Sequence, residues 1–278
     1  MLGRLMKKTL IFSDVHLKVS REDRPRHAEF VAFLRAIDSA EYDRVICLGD
    51  LFDFWFEYRH VIFSGYFEVL RAFAELRDAG IKLHLVCGNH DFWAGRFLRE
   101  TLGFEIHQGH AVLPFGEQRV YFVHGDGMNP RDWGYRVYKR FARNRWVIAA
   151  FRLLHPDWAM RLAQGVSHSS RTLLQERDPA HGPEARALQA FAEEVLRRGE
   201  AEVVMCGHAH APARIDLPLG EARGRTEGTG EVQGERGKDA PATEGLYINT
   251  GDWMGHRSYV VWDGDEFALL NWSGDKLP

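Results

Sequence analysis

Five short clusters of carboxylate, amide and imidazole side chains each stand directly behind an apolar run. That repetition narrows the folds open to the chain more than any other feature. The clusters are Asp14-Val15-His16, Gly49-Asp50-Leu51-Phe52-Asp53, Gly88-Asn89-His90-Asp91, His124-Gly125-Asp126 and Gly207-His208-Ala209-His210. Each preceding run has the length of a buried strand. Four of the clusters carry Gly, as a chain turning sharply out of a strand requires. Side chains at the carboxyl ends of strands converge in the crevice where α/β folds place their sites.

The intervening sequence supports such a fold. Strands are expected at Thr9 to Ser13, Arg44 to Leu48 and Ile81 to Cys87. Helices are expected between them at Arg26 to Ser39 and Gly65 to Ala79, the second stopped by Gly80. This βαβαβ order predicts a parallel sheet with helices packed on it. Short strands follow near Glu105 to His107, Ala111 to Pro114 and Arg119 to His124. Helices are then expected at Trp133 to Arg143, Trp146 to Leu154 and Asp157 to Gly165, with Pro156 as a break. A helix from Pro183 to Arg198 has Pro in its first turn and Gly199 at its end. A strand at Glu202 to Cys206 precedes a Gly-, Glu- and Arg-rich tract from 220 to 245, which reads as a flexible hydrophilic loop. Three antiparallel strands close the chain near Leu246 to Asn249, Ser258 to Asp263 and Glu266 to Asn271, with an Asp263-Gly264-Asp265 hairpin turn.

The 278 residues suffice for a buried core and fit one domain with an insertion. No apolar run reaches the roughly 20 residues of a membrane span. The first residues lack the apolar centre of a secretory signal. Three cysteines without a CxxC pair exclude a disulfide scaffold and fit a reducing cytoplasm. Cys47, Cys87 and Cys206 each lie two residues before a cluster residue, at strand positions that should face a core.

The net charge of −3 is a cancellation. Residues 131 to 177 hold ten basic and three acidic side chains, so this segment is +7 and the remainder sums to −10. Such a division points to an anionic partner. The segment also carries Trp133, Tyr135, Tyr138, Phe141, Trp146, Phe151 and Trp158. The stretch from Trp146 to Leu154 is apolar nearly all round, so it should bury against the body, against a ligand's acyl chains, or at a membrane surface.

The donor count fits two metal ions. Four donors per ion with one carboxylate shared require seven residues, and Asp14, His16, Asp50, Asn89, His124, His208 and His210 supply them. Asp50 is the natural bridge, because its two oxygens can serve two ions. Mixed oxygen and nitrogen donors suit Mn, Fe or Zn better than Ca or Mg.

At these residues the chain resembles the calcineurin-like metallophosphoesterase superfamily, whose pattern is DxH, GDxxD, GNHD, a later His and GHxH. The resemblance implies a four-layer αββα sandwich. It implies Asp14, His16, Asp50 and His210 on one ion, and Asp50, Asn89, His124 and His208 on the other. It places His90 over the phosphate as a catalytic donor. Asp91 would either orient that imidazole or cap the turn.

Asp50 to Trp55 and the segment after Asp126 further resemble the UDP-2,3-diacylglucosamine pyrophosphatases of lipid A synthesis. Those enzymes insert a helical cap, here residues 128 to 178, between the late His and GHxH. Asp132 and Tyr135 match that group's Asp-x-x-Tyr near the substrate. Asn89, His90 and His208 fall among the implied substrate contacts, and Ser167, Ser169, Ser170 and Arg171 are further polar candidates. One position departs: many members of that group carry Arg where this chain has His90. The implied substrate is an anionic glycolipid nucleotide. The implied setting is the cytoplasm, with peripheral contact to the membrane. No stable nucleic-acid partner is expected. A nucleotide or single-strand phosphodiesterase stays open as an alternative, since basic and aromatic side chains can also track nucleic acid. A non-catalytic scaffold of this fold would have lost ligands that this chain keeps.

Overall fold

The computed structural model describes residues 6–130, 132–162, 182–218 and 244–277. The expected parallel unit forms as β1 (Lys8–Phe12), α1 (Arg24–Arg35), β2 (Tyr42–Cys47), α2 (Phe67–Asp78) and β3 (Lys82–Val86). Pro25 in the first turn helps start α1, because its fixed φ suits a helix and its missing N–H costs nothing there. α2 starts later than expected, after a separate tight turn at Ser64–Tyr66. β4 (Phe104–His107) adds a further parallel strand. β10 (Ser258–Trp262) and β11 (Phe267–Asn271) return from the end of the chain, giving the order β11-β10-β1-β2-β3-β4.

The second sheet holds β5 (His110–Phe115), β6 (Gln118–Val123), β7 (Val203–Cys206), β8 (Ala213–Pro218) and β9 (Glu244–Asn249), in the order β5-β6-β7-β9-β8. β8 was not expected. It is an edge strand whose polar alternation and flanking prolines resemble a loop. β9 begins at Glu244, so the tract read as a loop to 245 ends in a strand, and residues 219–243 lie outside the described ones.

Side-chain alternation builds the layers. On β1, Leu10 and Phe12 join a core with Phe30, Phe33, Val69 and Phe73 of α1 and α2, while Ile11 faces the other way. Ile11 shares the inter-sheet core with Ile46, Val86, Phe122, Met205 and Ile248. The outer face of the second sheet packs Val204 and Cys206 against Leu188, Ala192 and Val195 of α6 (Pro183–Arg197). The result is the αββα sandwich. The three cysteines are buried and unpaired, as their strand positions predict.

Between β6 and α6 lie α3 (Trp133–Ala142), α4 (Arg145–Phe151) and α5 (156–162). α4 ends three residues earlier than expected, at Phe151. Among the described residues no helix is long and apolar enough to cross a membrane.

Candidate metal centre

The carboxyl ends of β1, β2 and β3 in one sheet and of β6 and β7 in the other open onto one edge of the sandwich, and all five clusters meet there. Asp14, His16, Asp50, His208 and His210 all have φ between 48° and 65°. Arg257 is the only other described non-glycine residue with positive φ. Left-handed backbone is costly for such side chains and persists where surrounding structure imposes it, often at functional sites. Gly49, at φ 91°, makes the turn that presents Asp50. A Cβ at Gly88 would overlap Asp50 Oδ1, so only glycine lets these two loops approach.

The donor atoms form two adjoining groups. Asp14 Oδ1 lies 3.2 Å from His210 Nε2 and 3.5 Å from His16 Nε2, and the two imidazole nitrogens are 3.3 Å apart. Asp50 Oδ2 lies 3.3 Å from His124 Nε2, and that nitrogen lies 3.2 Å from Asn89 Oδ1. His208 completes a group with Asp50 and His124. Asp50 Oδ2 is also 3.6 Å from His16 Nε2, so this carboxylate stands between the groups. The seven residues expected as ligands are therefore brought together.

The surrounding protein orients these donors. The carbonyl of Leu48 accepts from His124 Nδ1 at 2.7 Å, which puts a proton on Nδ1 and turns Nε2 inward. Asp14 Oδ2 accepts from the His208 backbone N–H at 2.8 Å and from the Ser13 hydroxyl, which also bonds Thr250 Oγ1 at 2.7 Å. Asp14 Oδ1, in contrast, is buried without any hydrogen-bond donor. A buried carboxylate oxygen left bare is costly unless a cation satisfies it. Burial pushes Asp14 and Asp50 upward, but the imidazole charges, His124 first, outweigh it and hold both well below the usual carboxylate range. Burial holds His16 and His208 down to about 4, leaving neutral rings with free lone pairs. Bare oxygen, neutral imidazoles and ionised carboxylates fit divalent metal ions.

His90 stands beside this cluster. Its Nδ1 donates to the Asp53 carbonyl at 2.6 Å, and its Nε2 points inward, 3.9 Å from Asp50 Oδ2. Asp91 does not orient that ring. Its two oxygens accept from Gly88 N–H at 2.7 Å and Leu51 N–H at 3.1 Å, so it caps the loops that carry Asn89 and Asp50. Burial and the charge of Asp50 lift its carboxyl to about 7.

The described cap residues expected near the substrate make hydrogen bonds within the protein. Asp132 caps α3 through the Tyr135 N–H at 2.9 Å. The Tyr135 hydroxyl donates to Asp126 Oδ2 at 2.7 Å, and Lys139 Nζ pairs with the same oxygen at 2.6 Å. Both side chains are thus engaged in fastening α3 to the loop after His124. Ser167, Ser169, Ser170 and Arg171 lie outside the described residues. Sequence reading named Asp53 and Asp126 within clusters without giving them tasks, and it missed Ser13, Thr250 and Lys139.

α4 rests on the rings downstream of two clusters. Phe151 meets Phe56 at 4.9 Å and Trp93 at 5.0 Å between centroids. Beside this contact is a cleft of about 240 Å³ lined by Phe56, Phe92, Trp93 and Ile148, with Glu57 and Arg152 at its polar parts. Among the described residues of the cap several large apolar side chains face outward: Trp146 is 69% exposed and Leu153 88%, with Trp133, Phe141 and Trp158 similar.

The chain is similar to several known proteins. A UDP-2,3-diacylglucosamine hydrolase from Porphyromonas gingivalis is 28% identical over 95% of this chain and 97% of its own. One of the same name from Aeromonas hydrophila is 31% identical over 78% of this chain and 87% of its own. Among solved structures, the Escherichia coli phosphoesterase Yfce aligns at 16% identity over 98% of this chain and 97% of that one, with a TM-score of 0.42. The calcineurin-like phosphoesterase family model matches residues 7–212, a span that contains all seven donor residues with His90 and Asp91. The chain belongs to the calcineurin-like phosphoesterases, hydrolases of bonds to phosphorus.

Proposed function

We propose that this protein hydrolyses the diphosphate of UDP-2,3-diacylglucosamine, yielding UMP and 2,3-diacylglucosamine 1-phosphate. The observation that carries the proposal is the match to relatives named UDP-2,3-diacylglucosamine hydrolase over nearly their whole length. The cleft supports it, because one side of it, Phe56 with Glu57 and Phe92 to Gly95, lies shortly after Asp53 and Asp91 in the chain, and the cap's Ile148 and Arg152 line the other. A diphosphate at the centre would therefore place attached acyl chains beside Phe56, Phe92, Trp93 and Ile148.

One ion is assigned to Asp14, His16, Asp50 and His210, the other to Asp50, Asn89, His124 and His208, with Mn the preferred metal over Fe, Zn or Mg. Ions held by these residues would supply charge to offset the phosphoryl group and to activate a water for in-line attack. The chain's own residues do the rest. His90, its Nδ1 proton held by the Asp53 carbonyl, turns Nε2 toward the centre, and in the doubly protonated ring that nitrogen would donate to a phosphoryl or leaving oxygen. Asp91 holds the loops of Asn89 and Asp50 in register. Tyr135 and Lys139, through Asp126, fix the cap over the site. The exposed aromatic and basic face of the cap is assigned to peripheral contact with an anionic membrane surface, from which the lipid is drawn.

Purified protein supplied with Mn should release UMP from the diacyl substrate and leave single-stranded DNA intact. Turnover of DNA without turnover of the lipid would replace this reading with that of a nucleic-acid phosphodiesterase.

A further inference from the structure

Away from the catalytic edge, β3 and β4 bring a second set of metal-type donors together. Their parallel register pairs His84 with Glu105 and Val86 with His107. Leu83, Leu85 and Phe104 face the helix-side core, so His84, Glu105 and His107 share the opposite face, at the edge of the first sheet. His84 is buried, while the Glu105 side chain is 63% exposed and gives an ion a path from solvent.

The spacing of the three donors is informative. His84 Nδ1 lies 3.3 Å from His107 Nε2 and 3.6 Å from Glu105 Oε2, and His107 Nε2 lies 3.5 Å from Glu105 Oε1. Neither carboxylate distance makes a good hydrogen bond. Two donors on a tetrahedral zinc ion at about 2.05 Å stand about 3.3 Å apart, and slightly further for carboxylate oxygen. The catalytic centre of this same chain shows the same range, 3.2 to 3.6 Å between neighbouring donors. The two rings are parallel within 9°, with centroids 5.6 Å apart, so the nitrogens face each other across the gap. Without an ion the two nitrogens meet in a hydrogen bond, and the Glu105 carboxylate stays largely in solvent. A divalent cation would engage all three once each ring turns so that the two nitrogen lone pairs converge on it.

We propose that His84, Glu105 and His107 form a second metal site, for one zinc-type divalent ion with water completing its coordination, separate from the catalytic pair. Two imidazoles and a carboxylate suit such an ion better than Mg or Ca. Burial, against the opposing pull of Glu105, drops His84 to about 4, so its ring is neutral and ready to bind at physiological pH. An ion here would clamp β4, the edge strand, to β3.

The test is metal content. Full-length protein, loaded with excess Zn and desalted, is compared with the His84→Gln/His107→Gln double variant and with Glu105→Gln. Wild type should retain one more Zn per chain than the double variant, and both should release UMP from the diacyl substrate at equal rates. Equal Zn content would overturn the site. Should the double variant fail to fold, Glu105→Gln decides, because its exposed side chain is not needed for the core. Loss of a direct ligand costs at least the roughly ten-fold in affinity that loss of a supporting hydrogen bond does. Competition with a chelator should show the third Zn weakened by that factor, and unchanged affinity would overturn the proposal.

Discussion

Asp50 stands between the two donor groups, with its Oδ1 also accepting from the His90 N–H at 2.9 Å. Its replacement by alanine takes a ligand from both assigned ions at once and frees the His90 loop. Removing one electrostatic contact at an active site costs about 10²–10³-fold in kcat, and Asp50→Ala should cost at least that. Activity within ten-fold of wild type would remove the bridge from the assignment. Asp91→Ala tests a different job. It leaves two buried N–H groups without an acceptor, at about 1–3 kcal/mol each, so the melting temperature of metal-loaded protein should fall by roughly 5 °C or more. An unchanged melt would mean that the loops do not depend on this cap. The seven residues expected as ligands, which the fold brings together, were legible in the sequence because donors of distinctive chemistry sit beside turn glycines at strand ends. Their supports were not. Ser13 and Thr250 are ordinary residues whose contact spans 237 positions, and the acceptors at Leu48 and Asp53 are backbone carbonyls that any residue supplies.

Among the elements, the cap helices divide their apolar residues between two uses that the sequence ran together. Phe151 packs on the body, whereas Trp146, on the same short helix, is 69% exposed. Phe151→Ser should loosen the wall of the cleft and raise KM for the long-chain substrate about ten-fold, the effect of losing roughly 1.4 kcal/mol of binding. Turnover of a short soluble phosphodiester should stay near normal, and equal effects on both substrates would separate the cleft from acyl recognition. Trp146→Ser should change stability by less than about 0.5 kcal/mol yet reduce sedimentation with anionic vesicles. Unchanged sedimentation would take this residue out of membrane contact. Helix and strand order was readable from periodicity, but the role of each cap face was not, since an all-round apolar helix does not announce which side will be covered. β8 escaped for the converse reason: only Leu217 in it is buried, too little for a strand pattern.

Across the whole molecule, the centre joins the two sheets. Asp14, His16, Asp50 and Asn89 follow strands of the first sheet, and His124, His208 and His210 follow strands of the second. Bound ions therefore add to global stability as ligands of the native state only. At an ion concentration a thousand times Kd this is about 4 kcal/mol, so a strong chelator should lower the melting temperature by roughly 10 °C. Insensitivity of the melt to chelator would show that the sheets do not rely on the ions. The fold class was legible because strand, helix and cluster recur in step. The joining of two sheets at one edge rests on pairings between distant segments that local sequence does not encode. That joining has a consequence for biosynthesis. On the proposed ligand sets, each ion requires a histidine from the second sheet, and His208 and His210 leave the ribosome long after the first sheet's donors. A nascent chain is therefore a poor chelator for most of its translation, and ion capture becomes a late step that marks completed folding instead of nucleating it.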